Sequence, residues 1–171
     1  MARTADTPLE ELYGRPGFLI RRAHQIAVSL FLEETGDLGI TNTQYGILFV
    51  LKSRPGVDQI TLAKLLGLDR STTGMVLGKL EDAGLIERAQ GIADRRRRTL
   101  QLTKAGEKML AQLREPARKA QAHILEPFTA DERRIFLRLL ERLVGAHNCS
   151  TRVPVEDRSN GKNNELNGHA A

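Results

Sequence analysis

The stretch DQITLAKLLGLDRSTTGMVLGKLEDAG, residues 58–84, decides the fold. Asp58 is placed to cap a short helix over 59–66, with Ile60, Ala63, Leu65 and Leu66 as apolar positions. Gly67 suits the end of that helix, because glycine takes left-handed backbone at no steric cost. Asp69 then caps a second helix over 70–83, whose apolar set is Met75, Val76, Leu77, Leu80 and Ala83; Gly84 closes it. Two short helices joined by a tight glycine turn make a helix-turn-helix.

The period changes immediately downstream. Leu85-Ile86-Glu87-Arg88 reads as a strand, and Arg98-Thr99-Leu100-Gln101-Leu102 alternates as its partner. Residues 90–97 form the loop between them and carry an arginine cluster. A hairpin directly after a helix-turn-helix is a wing, so a two-stranded β-wing is expected.

Upstream, Thr41-Asn42-Thr43-Gln44 is a capping box opening a helix that runs to about Ser53, before Pro55-Gly56. Ahead of it, Leu19, Ile20, Ala23, Ile26, Ala27, Leu30 and Phe31 recur at helical spacing between Pro16 and Gly36. Residues 1–14 read as a flexible segment. Beyond the wing, Thr103 caps a helix carrying Met109, Leu110, Leu113, Ala117 and Ala120, with Pro116 expected to kink or interrupt it. A second capping box, Thr129-Ala130-Asp131-Glu132, opens a helix striped by Ile135, Phe136, Leu139, Leu140, Leu143 and Val144. From Asn148 the chain turns polar, and 148–171 reads as a disordered tail.

The bulk numbers fit one mainly α domain. The 171 residues carry 26 Lys and Arg against 21 Asp and Glu, a net charge of +5 that favours a polyanionic partner. Cys149 is the single cysteine, which excludes an internal disulfide and a cysteine-rich zinc site. No secretory signal or membrane-length apolar run is evident, so a cytoplasmic setting and no membrane partner are expected. The sequence lacks G-x-G-x-x-G, a phosphate-binding loop and H-E-x-x-H, and its four histidines are scattered. An enzyme is therefore not expected, nor a cofactor or metal.

The second helix of a helix-turn-helix enters the major groove. Here it starts with Arg70, Ser71, Thr72 and Thr73, with Lys79 further along. Arginine pairs with a guanine edge, and Ser or Thr with bases or phosphates. Helix capping is the competing role for Ser71 and Thr72. In the wing, Arg95, Arg96, Arg97 and Arg98 are adjacent; their mutual repulsion becomes favourable once phosphates neutralise them. A solvated turn is the bland alternative, and Arg98 also starts the return strand. Asp94 is placed to orient a neighbouring guanidinium.

These segments resemble the MarR family of winged-helix regulators over roughly residues 16–145. The resemblance rests on Thr41–Tyr45, on Leu62-Ala63-Lys64-Leu65-Leu66-Gly67 and on Leu80-Glu81-Asp82-Ala83-Gly84-Leu85-Ile86. It continues through Asp94-Arg95-Arg96 into Leu100-Gln101-Leu102-Thr103-Lys104-Ala105-Gly106. It implies a homodimer whose helical dimerisation domain is built from the N- and C-terminal helices, 15–35 and 104–147. The DNA-binding lobe would be 57–103 within a domain spanning 15–147. It also implies a pseudo-palindromic double-stranded operator, usually repressed, with Arg95 at the wing tip between Asp94 and Arg96. Small anionic, often aromatic, effectors would bind between the dimerisation and DNA-binding parts. Gly17–Gln25 is similar to the first helix of regulators of aromatic-acid and hydroxycinnamoyl-CoA catabolism, so an aromatic acid or aromatic acyl-CoA thioester is the expected effector.

Such a fold would wall the effector pocket with the helices holding Phe18, Arg22, His24, Phe31 and Tyr45. Plain helix packing is the competing role for His24, and core burial for Phe31 and Tyr45. Three other functions stay open. One is a constitutive architectural DNA binder without ligand. Another is a redox-responsive regulator, although peroxide-sensing relatives carry their cysteine near the first helix and Cys149 is far from it. The third is a winged helix used on RNA or protein, disfavoured because no aromatic side chain is offered for base stacking.

Overall fold

The computed structural model describes residues 7–90 and 98–155. Seven helices and three strands follow in order: α1 (Pro8–Gly14), α2 (Pro16–Thr35), α3 (Asn42–Ser53), β1 (Val57–Asp58), α4 (Gln59–Leu66), α5 (Arg70–Asp82), β2 (Ile86–Gln90), β3 (Arg98–Leu102), α6 (Lys104–Leu125) and α7 (Ala130–His147). Single 3-10 turns follow α2 and α7, at Gly36–Leu38 and Asn148–Ser150. The fold is mainly α with a small antiparallel sheet, the architecture expected of a winged helix-turn-helix.

The local signals act as the chemistry requires. Thr41 and Gln44 close a full capping box at α3, and Thr129 and Glu132 close another at α7. Asp58 accepts from the Ile60 and Thr61 N–H groups at α4. Gly67 ends α4 at φ 63°, so the chain reverses into α5 within three residues.

The structure adds detail to four expectations. The wing is part of a three-stranded sheet, in the order β1-β3-β2, because Val57 pairs with Leu100 and Asp58 with Thr99. The segment 1–14 is not wholly loose: Thr7 caps α1, with Pro8 in its first turn. Pro116 lies inside α6 without interrupting it. Its missing N–H deprives the Gln112 carbonyl of its usual helical donor, but Gln112 is exposed and water reaches it. The tail, expected to be disordered from 148, folds back through Val155. There the Asn148 side chain accepts from the Val155 N–H at 2.9 Å and donates to the Val155 carbonyl at 2.8 Å.

The main core lies inside the helix-turn-helix lobe. Ile47, Leu48, Leu51, Leu62, Leu77, Leu80, Ile86, Leu100 and Leu113 are all buried there, drawn from α3, α4, α5, both wing strands and α6. A smaller cluster of Phe31, Ala117 and Ala120 sits where α2 crosses α6, and Tyr45 packs against both clusters. Gly106 locks α6 to the lobe: a Cβ there would overlap the Leu85 carbonyl oxygen. The Thr103 hydroxyl reinforces the junction, donating to the Gly84 carbonyl at 2.7 Å.

Candidate nucleic-acid interface and effector cleft

Recognition helix α5 is held by its buried face. Thr73, Val76, Leu77 and Leu80 face the core. Asp69 caps its start: one carboxylate oxygen accepts from the Thr72 N–H at 2.9 Å, the other from the Thr72 hydroxyl at 2.6 Å. Those bonds, the Thr72 side chain's first, hold the Asp69 carboxyl below the usual carboxylate range.

These contacts sort the expected DNA-contacting residues. Arg70, Ser71 and Lys79 are exposed on α5. Thr72 is half-buried and its hydroxyl is committed to Asp69, so capping is its observed role. Thr73 is corrected: it is fully buried, and its hydroxyl donates to the Asp69 carbonyl at 2.8 Å. That removes its side chain from the DNA face. Asp94, Arg95, Arg96 and Arg97 lie outside the described residues. Arg98 starts β3 and is exposed.

The five expected effector residues do not form one group, although the Phe31 and Tyr45 rings meet at 5.7 Å. Phe31 is 1% exposed and packs in the α2–α6 cluster. Phe18 packs against Tyr13 in a tilted pair with ring centroids 5.1 Å apart and lies under the Arg21 guanidinium at 5.0 Å. Arg22 is exposed and donates to Gln25 at 2.9 Å, and His24 is exposed. On a helix rising about 1.5 Å per residue, Phe18 stands about 20 Å from Phe31 along α2.

Tyr45 lines a cleft. The cleft, about 440 Å³, runs between α3 and α6 and includes Phe49, Leu110 and Arg114. A second hollow of about 410 Å³ continues it past Tyr45, Phe49 and Arg114 to Arg118. Three rings form a ladder out of the core: Phe31 to Tyr45 at 5.7 Å, then Tyr45 to Phe49 at 6.2 Å. Phe49 is 57% exposed, an unusual state for a phenyl ring on a helix beside a core.

Cations stand at the top of this ladder. Arg118 is paired with Glu115 at 2.6 Å, and Lys52 with Glu107 at 2.6 Å. The Lys52 hydrogen bond, with its charge, holds the Glu107 carboxyl below its usual range. Arg114 makes no hydrogen bond or ion pair among the described residues, so its charge is available to an anion. Sequence reading missed Phe49 and Arg114. The helical period marks both as outward-facing, and only tertiary packing reveals that two outward faces meet.

Among the described residues, no group of three His, Cys, Asp or Glu side chains is placed to hold a metal, and no helix is long and apolar enough to cross a membrane. Residues 38–97 match the MarR family. A Thauera aromatica protein named as a putative transcriptional regulatory protein for the hcr operon is 33% identical over 147 residues, covering 82% of this chain and 89% of its own. The PcaV transcriptional regulator of Streptomyces coelicolor, solved with its natural ligand, superposes with a TM-score of 0.71 at 32% identity, covering 85% of this chain and 99% of PcaV. The transcriptional repressor CouR, solved on a 23-mer DNA duplex, gives 0.74 at 28% identity, covering 81% and 99%. With the helix-turn-helix, the wing and α6 arranged as described, the chain belongs to the MarR family and is a transcriptional regulator rather than an enzyme.

Proposed function

We propose that the protein is a homodimeric repressor that leaves its operator when an aromatic acid, or its CoA thioester, fills the cleft between α3 and α6. The aromatic ladder ending beside the exposed Arg114, which has no hydrogen bond or ion pair among the described residues, carries this reading. Exposed Phe49 and half-buried Tyr45 offer faces to a planar ring, and Arg114 offers two parallel donors to a carboxylate. The open hollow towards Arg118 leaves room for a longer thioester arm.

The position of the cleft supplies the coupling. One wall is α3, whose inner face packs in the lobe core; the other is α6, which runs from the lobe to α2. A ligand that binds one spacing of these walls better than the other shifts the orientation of the lobe. In a dimer, two α5 helices must sit about 34–36 Å apart to enter successive major grooves. The dimer itself is supported by the apolar faces that one chain leaves uncovered: Leu19, Ile20 and Ile26 on α2, and Leu139, Leu140, Leu143 and Val144 on α7. Arg70, Ser71 and Lys79 would meet the operator, with Arg95, Arg96 and Arg97 from the wing.

Fluorescence anisotropy on the promoter DNA beside the protein's own gene tests this. Aromatic acids and their CoA thioesters are titrated into the complex. Release by one compound, weakened at least tenfold in Arg114→Ala while DNA affinity is kept, is the expected result. Tight binding that no compound disturbs would replace it with a constitutive architectural role.

A further inference from the structure

Met75 belongs, by sequence pattern, to the apolar set that packs α5 into the lobe. The structure turns it the other way. It is 58% exposed, while Val76, Leu77 and Leu80 around it are buried. At about 100° per residue, the buried set and Met75 lie on opposite sides of the helix. Ser71, one turn earlier, and Gly78, about one turn later, share Met75's face within about 60°. Lys79, also exposed, flanks it.

The surroundings of Met75 are low. Gly78 has nothing within 4 Å of where its Cβ would stand, and Gly74 has only the Gln59 Nε2 at 3.6 Å. Each glycine is a weaker helix former than alanine. Among the described residues no neighbour forces either of them, in contrast to Gly106. The thioether therefore projects from a bare helix surface, between a hydroxyl and an ammonium group.

We infer that Met75 is a sequence-reading residue of α5, and that its target is the C5-methyl group of a thymine on the major-groove floor. A thioether side chain has no hydrogen-bond donor and only a weak acceptor, so it offers little to a guanine, cytosine or adenine edge. The thymine methyl is the apolar feature that edge-on bases present in the major groove. Ser71 and Lys79 bracket Met75 with groups that bond bases or phosphates, which fixes the helix while Met75 samples the methyl. This inference rests on the DNA-binding reading proposed above.

The test separates the two claims. Duplexes that bind the full-length protein are first selected from a random pool. Each thymine of the selected site is then replaced by deoxyuridine, which removes only the methyl. Losing one buried methyl contact weakens binding about fourfold per half-site, and about fifteenfold when both half-sites are changed. In Met75→Ala the same replacement at that position should cost nothing, while the thermal midpoint stays that of the parent because the side chain is exposed. Replacing the thymine by 5-methylcytosine, with guanine opposite, should restore part of the wild-type affinity. If no deoxyuridine position matters, or if Met75→Ala keeps the full deoxyuridine penalty, the inference is wrong although the protein binds DNA. If the pool yields no bound duplex, the DNA-binding reading fails and this inference falls with it.

Discussion

The helix-turn-helix lobe and the two helical arms use the same kinds of residue to opposite ends. In the lobe, Leu48, Leu62, Leu77, Leu80 and Leu113 are fully buried within one chain. In the arms, Leu19 and Leu139 remain 54% and 53% exposed, and α7 buries none of its residues. The lobe closes its own core. Among the described residues, α2 and α7 leave part of their apolar stripe exposed. Stability of the lobe is thus local, whereas in the proposed dimer the placement of the two lobes relative to each other would depend on assembly.

Four measurements break or sharpen that contrast. Leu77→Ala in the lobe should cost about 2–5 kcal/mol of folding stability, independent of protein concentration, in denaturant melts. The double change Leu140→Glu and Leu143→Glu in α7 should leave the secondary structure of the lobe intact. It should weaken self-association at least a hundredfold by sedimentation; an unchanged assembly would end the claim that α7 is an interface. Thr41→Ala, which opens the α3 capping box, should cost about 1 kcal/mol, since one orphan N–H loses its acceptor.

The smallest effect concerns acid. Asp69 at α5 is held below its ordinary range first by the Thr72 side chain, and Glu132 at α7 first by the Thr129 backbone N–H. A lowered native value means the stabilisation is fully present above the ordinary carboxylate range. It is lost as pH falls through the lowered value. Circular dichroism melts from pH 6 downward should therefore lose midpoint only below about pH 4. Asp69→Asn, which can still cap, should flatten the Asp69 share of that loss.

Most of the lobe is legible because its signals are local. Asp58, Gly67, Asp69 and Gly84 bound α4 and α5 by capping chemistry that acts within four residues. The signal for α1 is also present, though easily passed over: Thr7-Pro8-Leu9-Glu10 has the spacing of a capping box with proline at the first helical position. β1 escapes a sequence reading, since two residues carry no period and its pairing with β3 spans more than forty positions. The cleft is half legible. Tyr45 is marked by its place at the start of α3. Phe49 and Arg114 lie on helices far apart in sequence, and nothing in either helix says the other is adjacent. Thr73 misleads because a hydroxyl near a helix start looks the same in sequence whether it bonds a base or the preceding turn's carbonyl.

The glycine at 106 sets the gearing of the molecule. Its backbone rests directly on Leu85, which leaves no room for a side chain between the start of α6 and the lobe. The 22 residues of α6 make a rod about 33 Å long. Rotating such a rod by about 6° about its far end sweeps the near end through about 3.4 Å, the rise of one base-pair step. In the proposed mechanism, an adjustment of a fraction of an ångström near α2 would thus be magnified into a full misregister at the operator.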